Sequence, residues 1–104
     1  MTALDKRTRV EVLFDRPLLL ELEAAAEAAG ITGHTLIPAL GGRGHAGRWS
    51  EDMVIGAESK IIFMTITVSE KADLFVGALS PLLDSHRLLV MVAEVSVVRG
   101  SKFS

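Results

Sequence analysis

The sequence predicts an α+β domain in which four strands and two helices follow one another in the order β-α-β-β-α-β. Three observations indicate this order: an early strand of alternating polar and apolar residues, two runs rich in strong helix formers, and two later strands that are apolar at nearly every position. A chain of 104 residues has room for one domain with a modest core. No internal repeat divides it, so we expect one domain over residues 1–104.

The first strand and the first helix are predicted from the start of the chain. TRVEVLF, from Thr8 to Phe14, alternates polar and apolar residues with the period of a half-buried strand. Asp15 is suited to cap the following helix, and Pro17 fits its first turn. LLLELEAAAEAAG then carries strong helix formers and ends at Gly30, a residue type that favours helix C-termini.

The second and third strands are separated by a long loop. HTLIPAL, from His34 to Leu40, contains Pro38, which lacks an N–H donor and so favours a sheet edge or a strand end. The loop runs from Gly41 to about Glu58. ESKIIFMTITV then predicts a third strand that ends near Val68, because it is rich in β-branched and apolar residues.

The second helix is predicted to begin with Ser69 as its N-cap and to continue through EKADLFVGALSPLL, where Pro81 kinks or shortens the last turn. The last strand is predicted from about Leu88 to Val98. The apolar residues of the helix recur at helical spacing, at Leu74, Phe75, Ala78, Leu79, Leu82 and Leu83.

This order of elements is that of the ferredoxin-like fold, an antiparallel sheet with both helices on one face. The other face of such a sheet is left uncovered, although the third and fourth strands are apolar on both sides. The apolar share of 49% is high for a chain of this size. We therefore expect part of the apolar surface to be covered by a partner subunit in a homo-oligomer.

Composition and charge exclude several classes of function. The absence of cysteine excludes disulfides, thiolate catalysis and cysteine-ligated zinc. A net charge of -2 gives no general attraction to nucleic acid. No secretory signal and no apolar run near the length of a membrane helix are visible. We expect a cytoplasmic protein without direct membrane insertion.

The sequence predicts neither catalysis nor a metal site. No nucleophile stands in a visible pairing with a base, and no paired carboxylates mark an acid–base site. His34, His45 and His86 lack the close spacing typical of metal ligands. We therefore predict a protein that is not an enzyme and has no metal cofactor.

The stretch GGRGHAGRW, from Gly41 to Trp49, is rich in glycine, and its letters from Gly42 to Gly47 satisfy G-x-G-x-x-G. A dinucleotide-binding fingerprint would open a helix, but no helical pattern follows here. A P-loop would continue with Lys and then Ser or Thr, where this chain has Arg48 and Trp49. Both motif-based interpretations therefore fail on context.

Two physical interpretations of this stretch remain. Successive glycines can present several backbone N–H groups to one anion, and Arg43 and Arg48 would add guanidinium groups suited to phosphate or carboxylate. Alternatively, the stretch is a surface hairpin whose glycines turn the chain and whose arginines are solvated.

The order of elements, with GITGHTLIPALGGRG entering a long loop between strands two and three, resembles the PII signalling proteins. It is closest to the PII-like branch with short loops, which includes carboxysome-associated PII proteins and regulators of bicarbonate transporters. Gly33 to Thr35 looks like the start of that family's second strand, and Gly41 to Gly44 looks like the base of its T-loop. The segment at about 41–58 is therefore interpreted as T-loop-like.

The resemblance implies a homotrimer that binds adenine nucleotides between subunits. It places Thr35 at the adenine end of the site and the backbone of Gly41 to Gly44, with Arg43, on phosphate or on a small anion such as bicarbonate. Arg99 would reach the phosphates from the C-terminal segment, and Lys102 would assist. The nucleotide- or anion-binding residues so predicted are Thr35, Gly41, Gly42, Arg43, Gly44, Arg48, Arg99 and Lys102.

A signalling role is also implied by the resemblance. Binding would order the Gly41 to Glu58 loop and change the surface that Trp49 and Met53 offer to a membrane transporter or a carboxysome-related enzyme. Trp49 is an aromatic residue of the kind enriched at protein interfaces. The alternative is that its side chain folds back and packs on its own sheet.

The chain also departs from the family pattern. It has only the short DSHR, Asp84 to Arg87, where PII proteins have a glycine-containing phosphate loop, so AMP or ADP is expected to bind in preference to ATP. It has no tyrosine, which excludes tyrosine uridylylation. Two alternatives stay open: a divalent-metal-binding trimer like the ion-tolerance proteins, and an assembly domain that binds no ligand.

Overall fold

A computed structural model describes residues 3–44, 47–50 and 59–104, with the backbone alone for residues 44 and 47–50. Four strands form an antiparallel sheet, two further strands form a separate hairpin, and two helices lie on one face of the sheet. The elements in chain order are β1 (Leu4–Asp15), a 310 turn (Arg16–Leu18), α1 (Leu19–Ala28), β2 (Thr35–Pro38), β3 (Gly41–Gly44), β4 (Gly47–Ser50), β5 (Lys60–Thr67), α2 (Ser69–Ser85), β6 (Leu89–Val98) and a second 310 turn (Gly100–Lys102).

The strand order in the large sheet is β2-β5-β1-β6, with every neighbouring pair antiparallel. The predicted ferredoxin-like fold, with both helices on one face of an antiparallel sheet, is confirmed. Pro38 ends β2 at the sheet edge, as its missing N–H predicts. Among the described residues, no helix is long and apolar enough to cross a membrane.

The register assigns each strand residue to one of two faces. Val10 lies opposite Thr65 on one side and Val92 on the other, and paired residues of antiparallel strands share a face. Residues that alternate with Val10 along β1 belong to the opposite face. We call the side packed against the helices the helix face and the other side the open face.

The core lies between the helix face and the two helices. Its members are apolar side chains from β1, β5, α1 and α2, and the fully buried ones include Val10, Val12, Phe14, Leu22, Phe63, Phe75 and Leu79. Thr65 and Thr67 are also buried on this face. Thr65 donates a hydrogen bond, whereas the Oγ1 atom of Thr67 has no partner among the described residues.

The start of α1 differs from the prediction, and its end agrees with it. Asp15 makes no side-chain capping bond, since its Oδ1 atom instead accepts a 2.7 Å hydrogen bond from Nζ of Lys60, and the 310 turn Arg16–Leu18 separates the strand from the helix. Gly30 ends the helix with a positive φ of 84°. The N–H of Gly30 donates to Glu27 O and the N–H of Ile31 donates to Ala26 O. These two hydrogen bonds are the pair typical of a helix that ends at a glycine, the Schellman motif.

The second helix is longer than predicted and begins differently. Ser69 is its first residue and Val68 takes the N-cap position, so the predicted Ser69 cap is wrong. Pro81 lies inside the helix, which continues to Ser85 because the N–H of His86 still reaches the carbonyl of Leu82 at 2.8 Å. The buried stripe consists of Ala72, Phe75 and Leu79, while the predicted stripe residues Leu74 and Leu83 are exposed.

The glycine-rich segment is a β-hairpin where a loop was predicted. Gly41 pairs with Ser50 and Gly44 pairs with Gly47, in a two-stranded sheet apart from the large one. Arg43 and Arg48 occupy directly opposite positions in this hairpin. The backbone of this segment therefore has the hairpin form that was the second interpretation. Any anion binding would depend on the side chains of Arg43 and Arg48.

Candidate functional site

An open cleft lies at the β2 edge of the large sheet, with a volume of about 210 Å³. Its floor is formed by Thr35 of β2 and by Met64 and Ile66 of β5, which the register places on the open face. The full lining is Ile31, Thr32, Gly33, His34, Thr35, Met64, Thr65, Ile66, Lys102, Phe103 and Ser104. An apolar floor with polar groups along the rim suits a small organic ligand that also carries charge.

One side of the cleft is the chain between α1 and β2. The hydroxyl of buried Thr65 donates a 2.6 Å hydrogen bond to the carbonyl of Gly33, which fixes the path of this segment against β5. An ideal Cβ built on Gly33 would meet no atom within 4 Å, so the space beside this glycine is open. The segment is therefore held in place and leaves room next to its backbone.

His34 connects this side of the cleft to the core and to α1. Its ring stacks on the ring of fully buried Phe63, with centroids 4.4 Å apart and 15° between the planes. Its Nε2 atom lies 3.1 Å from Oε2 of Glu23 in α1. The side chain is thus packed on one face and hydrogen-bonded at its tip, so that it presents a fixed edge to the cleft.

The opposite side of the cleft is the C-terminal segment. Val98 ends β6, and Arg99 then adopts a left-handed conformation with φ 61° and ψ 54°. The following 310 turn brings Lys102 and Phe103 over the open face to the cleft. A non-glycine residue with positive φ is uncommon, so the sharp change of direction at Arg99 marks a conformation held by its surroundings.

The structure brings together some of the predicted binding residues and separates others. Thr35, in the floor, and Lys102, in the C-terminal segment, both line the cleft. Arg99 is exposed at the start of the C-terminal turn and does not line the cleft. Gly41, Gly42, Arg43 and Gly44 form β3, which lies outside the lining of this cleft within one chain.

Three predicted functional side chains lie outside the described part of the molecule. Arg48 and Trp49 are placed by backbone alone in β4, opposite Arg43 and Gly42 respectively. Met53 lies outside the described residues. The roles of Trp49 and Met53 in partner binding, and of Arg48 in anion binding, stay predictions.

Neither a metal centre nor a catalytic pairing emerges in the described residues. Within the ranges 3–44, 47–50 and 59–104, no three His, Cys, Asp or Glu side chains converge as metal ligands. Ser85 Oγ lies 2.8 Å from Nδ1 of His86, a serine–histidine contact that the sequence analysis missed. Ser85 also donates to the carbonyl of Pro81, so the pair closes the exposed end of α2.

Most residues that line the cleft are not predicted as binding residues by the sequence. Met64 and Ile66 belong to the strongly apolar third strand, whose period-two pattern separates them from buried Phe63 and Thr65. His34 lies in the segment Gly33 to Thr35 that resembles the PII strand start, but the sequence predicts neither its stacking on Phe63 nor its contact with Glu23. Phe103 gave no signal, because its position depends on contacts with the other end of the chain.

The fold and the cleft define a class of small α+β protein with an open cleft at the edge of an uncovered sheet face. The sequence model of the nitrogen regulatory protein P-II family matches residues 7–102. The chain belongs to the P-II family, as the resemblance indicated. No curated protein sequence matches the chain.

Solved structures of PII-like proteins share this fold. CPII of Thiomonas intermedia, a nitrogen regulatory PII-like protein bound to ADP, AMP and bicarbonate, superimposes with a TM-score of 0.90 and 19% identity over 99% of this chain and 98% of that one. A PII-like signaling protein of Thermus thermophilus has a TM-score of 0.79 and 25% identity over 97% of this chain and 98% of that one.

The fold extends to a more distant class as well. CutA of Synechococcus elongatus, in complex with a Bis-Tris molecule, has a TM-score of 0.65 and 13% identity over 98% of this chain and 91% of that one. This likeness shows the fold alone. The family assignment favours the PII-like interpretation over the ion-tolerance alternative that the sequence left open.

Proposed function

We propose that this protein is a PII-like regulatory sensor, not an enzyme, that acts in the cytoplasm and binds an adenine nucleotide in clefts between the subunits of a homotrimer. The observation that carries the proposal is the cleft at the β2 edge, which Thr35 and Lys102 line together with apolar Met64 and Ile66. The chain belongs to the P-II family, and CPII structures of similar fold hold ADP and AMP, or ADP with bicarbonate.

The open face supports assembly around this cleft. It carries apolar side chains from all four strands, and those of Ile37, Leu89 and Met91 are substantially exposed within one chain. Although charged residues of β1 lie among them, large exposed apolar side chains grouped on one sheet face are typical of a surface that a partner covers. A second copy packed on the open face would cover it and would add a wall to the cleft, which is open on that side.

The cleft has the chemistry to hold a nucleoside monophosphate or diphosphate. Met64 and Ile66 offer apolar surface to a base, and the Thr35 hydroxyl offers a hydrogen bond beside it. Lys102 supplies a positive charge at the rim, and Arg99 is three residues before it in the C-terminal turn. The connection between α2 and β6 is only residues 86–88, which is too short for a glycine-containing phosphate loop, so AMP and ADP are preferred over ATP.

The glycine-rich hairpin supports a second, anionic ligand such as bicarbonate. Arg43 and Arg48 sit at directly opposite positions of β3 and β4. Like charges directly opposite each other destabilise a hairpin, and an anion bound between them relieves that repulsion. The hairpin would therefore be more stable with the anion than without it, so that the ligand controls the surface formed by Trp49 and Met53.

This control of the hairpin is the proposed signal. The hairpin and the segment up to Glu58 would dock on a transporter or an enzyme of inorganic carbon or nitrogen metabolism, carboxysome-related enzymes included. A ligand shifts such an element only by binding its two states with different affinity. The arginine pair supplies that difference, because its electrostatic cost changes when the anion binds.

Calorimetric titration tests the proposal directly. AMP, ADP, ATP and cyclic AMP are each titrated into the protein with and without bicarbonate, and adenosine serves as the phosphate-free ligand. We expect saturable binding of about one AMP or ADP per chain, with weaker binding of ATP. The absence of binding by every adenylate would contradict the proposal and favour a pure assembly domain.

A pair of variants tests the assigned phosphate contact. Arg99→Gly removes the guanidinium while keeping the left-handed backbone that glycine adopts without strain. We expect it to weaken ADP binding about tenfold, the size of one lost charge-assisted hydrogen bond, and to leave adenosine binding unchanged. Lys6→Gln, at an exposed position on the helix face, is the matched loss of one positive charge and should leave both unchanged.

A further inference from the structure

The first strand carries two charged residues onto the open face close to the C-terminal turn. Asp5 and Arg7 alternate with residues of the helix face and pair with Val97 and Val95 of β6. They share the open face with the ion pair of Arg9 and Glu11 and with apolar residues of the neighbouring strands. Their role follows from what their side chains bind.

Arg7 uses all three of its guanidinium nitrogens on backbone carbonyls. Its Nε donates to Phe103 O at 2.8 Å, one terminal nitrogen donates to Gly100 O at 2.9 Å, and the other donates to Lys6 O at 2.8 Å. Two of these three bonds end in the C-terminal segment. The planar fork of arginine makes such a set of bonds possible, and the single ammonium of lysine cannot reproduce it.

Asp5 holds the start of the same turn. Its Oδ2 accepts a hydrogen bond of 3.0 Å from the N–H of Gly100. An ideal Cβ on Gly100 would lie 2.5 Å from Cβ of Asp5, so only glycine allows this close approach. Gly100 is therefore held by Asp5 at its N–H and by Arg7 at its carbonyl, directly after the left-handed Arg99.

This anchoring sets the position of one cleft wall. Lys102 and Phe103 line the cleft, and the carbonyl of Phe103 is one of the two C-terminal carbonyls that Arg7 binds. Arg7 itself does not line the cleft. Any change in the Arg7 contacts would thus reach the ligand through the C-terminal segment.

We infer that Arg7, together with Asp5, is a positioning residue that latches the Arg99–Phe103 turn over the open face and so completes the nucleotide cleft. This inference rests on the proposed function for its ligand and on the hydrogen bonds above for its mechanism. The latch makes the affinity for the nucleotide depend on a side chain that does not touch it.

The test uses Arg7→Lys, which keeps the positive charge and loses the fork. In the ligand-free protein, we expect amide hydrogen exchange of the 99–104 segment to accelerate about tenfold, which corresponds to one lost charge-assisted hydrogen bond. AMP affinity, measured by calorimetry, should fall by about the same factor. Exchange in β1 and β5 should stay unchanged. If Arg7→Lys folds poorly, Asp5→Ala replaces it in the test, because it releases the N–H of Gly100 at the start of the turn. It should show the same faster exchange and the same loss of AMP affinity.

Two controls separate positioning from charge and from general destabilisation. Lys6→Gln removes a neighbouring charge on the opposite face and should change neither exchange nor affinity. In an Asp5→Ala background, where the turn is already released, Arg7→Lys should cause a smaller further loss of AMP affinity than it does in the native chain. Thermal unfolding and light scattering of each variant establish that fold and assembly are intact.

The outcomes are distinguishable. Unchanged exchange in Arg7→Lys would overturn the latch. Faster exchange with unchanged AMP affinity would overturn its link to the cleft, and full affinity in Arg7→Lys with loss in Arg7→Gln would show that the charge acts directly. A native chain that binds no adenylate would instead contradict the proposed function, while the exchange result would still decide whether the latch exists.

Discussion

The two faces of the four-stranded sheet are both apolar, but only one of them is covered within the chain. On the helix face, Val12, Phe14 and Phe63 are 0% exposed. On the open face, Met91 is 47% exposed and Leu89 is 51% exposed. Apolar residues occur on both faces of the strands, so they do not by themselves show which face is covered within the chain.

Charged residues also distinguish the open face from the helix face. Asp5, Arg7, Arg9 and Glu11 of β1 all belong to the open face, where Arg7 and Asp5 hold the C-terminal turn and Arg9 forms a 2.9 Å ion pair with Glu11. On the covered part of the helix face, the polar side chains are threonines. The helix face thus forms the folding core. The open face combines exposed apolar side chains with polar side chains that hold the C-terminal turn beside the cleft.

The largest expected effect is on the helix face. Phe14→Ala removes a fully buried aromatic ring between β1 and the helices, and we expect a loss of about 3–5 kcal/mol in the free energy of unfolding because a cavity remains. Denaturant unfolding followed by circular dichroism measures it. A loss below 1 kcal/mol would show that this face is not the folding core.

A lysine on the open face should act on assembly and leave the fold intact. Met91→Lys places a charge on the open face opposite Glu11, and we expect subunit association to weaken at least about a hundredfold, because a charge brought into an interface loses its hydration. Sedimentation analysis across a concentration series measures this change.

The matched control for that variant is the next residue along β6. Val92→Lys introduces the same charge at a comparably exposed position on the other face. It should leave association unchanged. Equal effects of the two variants would contradict the assignment of the open face as the subunit interface.

The smallest effects separate the two buried threonines of β5. Thr65→Val deletes the hydroxyl that holds Gly33, and we expect a loss of about 1–2 kcal/mol in the free energy of unfolding because that carbonyl loses its partner. Thr67→Val removes a buried hydroxyl without a partner among the described residues, and it should be neutral or stabilising. Denaturant unfolding measures both, and equal losses would refute the assigned role of Thr65.

The fold could be predicted from the sequence because its signals are local. The alternation of TRVEVLF, the helix formers before Gly30 and the apolar third strand each specify an element within a few residues. The errors fall where neighbouring choices compete. Asp15 binds Lys60 instead of capping the helix, and the helix that contains Pro81 continues because its last turn finds other bonds.

The site could be predicted only where it is local. Thr35 and Lys102 line the cleft, but Met64, Ile66 and Phe103 join them through strand register and chain crossing. The hydrogen bond between Gly100 and Asp5 joins residues 95 positions apart, and the local sequence around neither residue predicts it. Contacts of this kind depend on the assembled sheet, so composition and spacing cannot show them.

The central claim is that the open face forms both the subunit interface and the nucleotide clefts. Native mass spectrometry of the protein with AMP and with ADP tests both parts in one spectrum, since it counts chains and bound nucleotides together. The account predicts an assembly of three 11.2 kDa chains that takes up as many as three adenylates in steps, with Met91→Lys losing both. A single chain without adducts, or a trimer that takes up no adenylate, would contradict it.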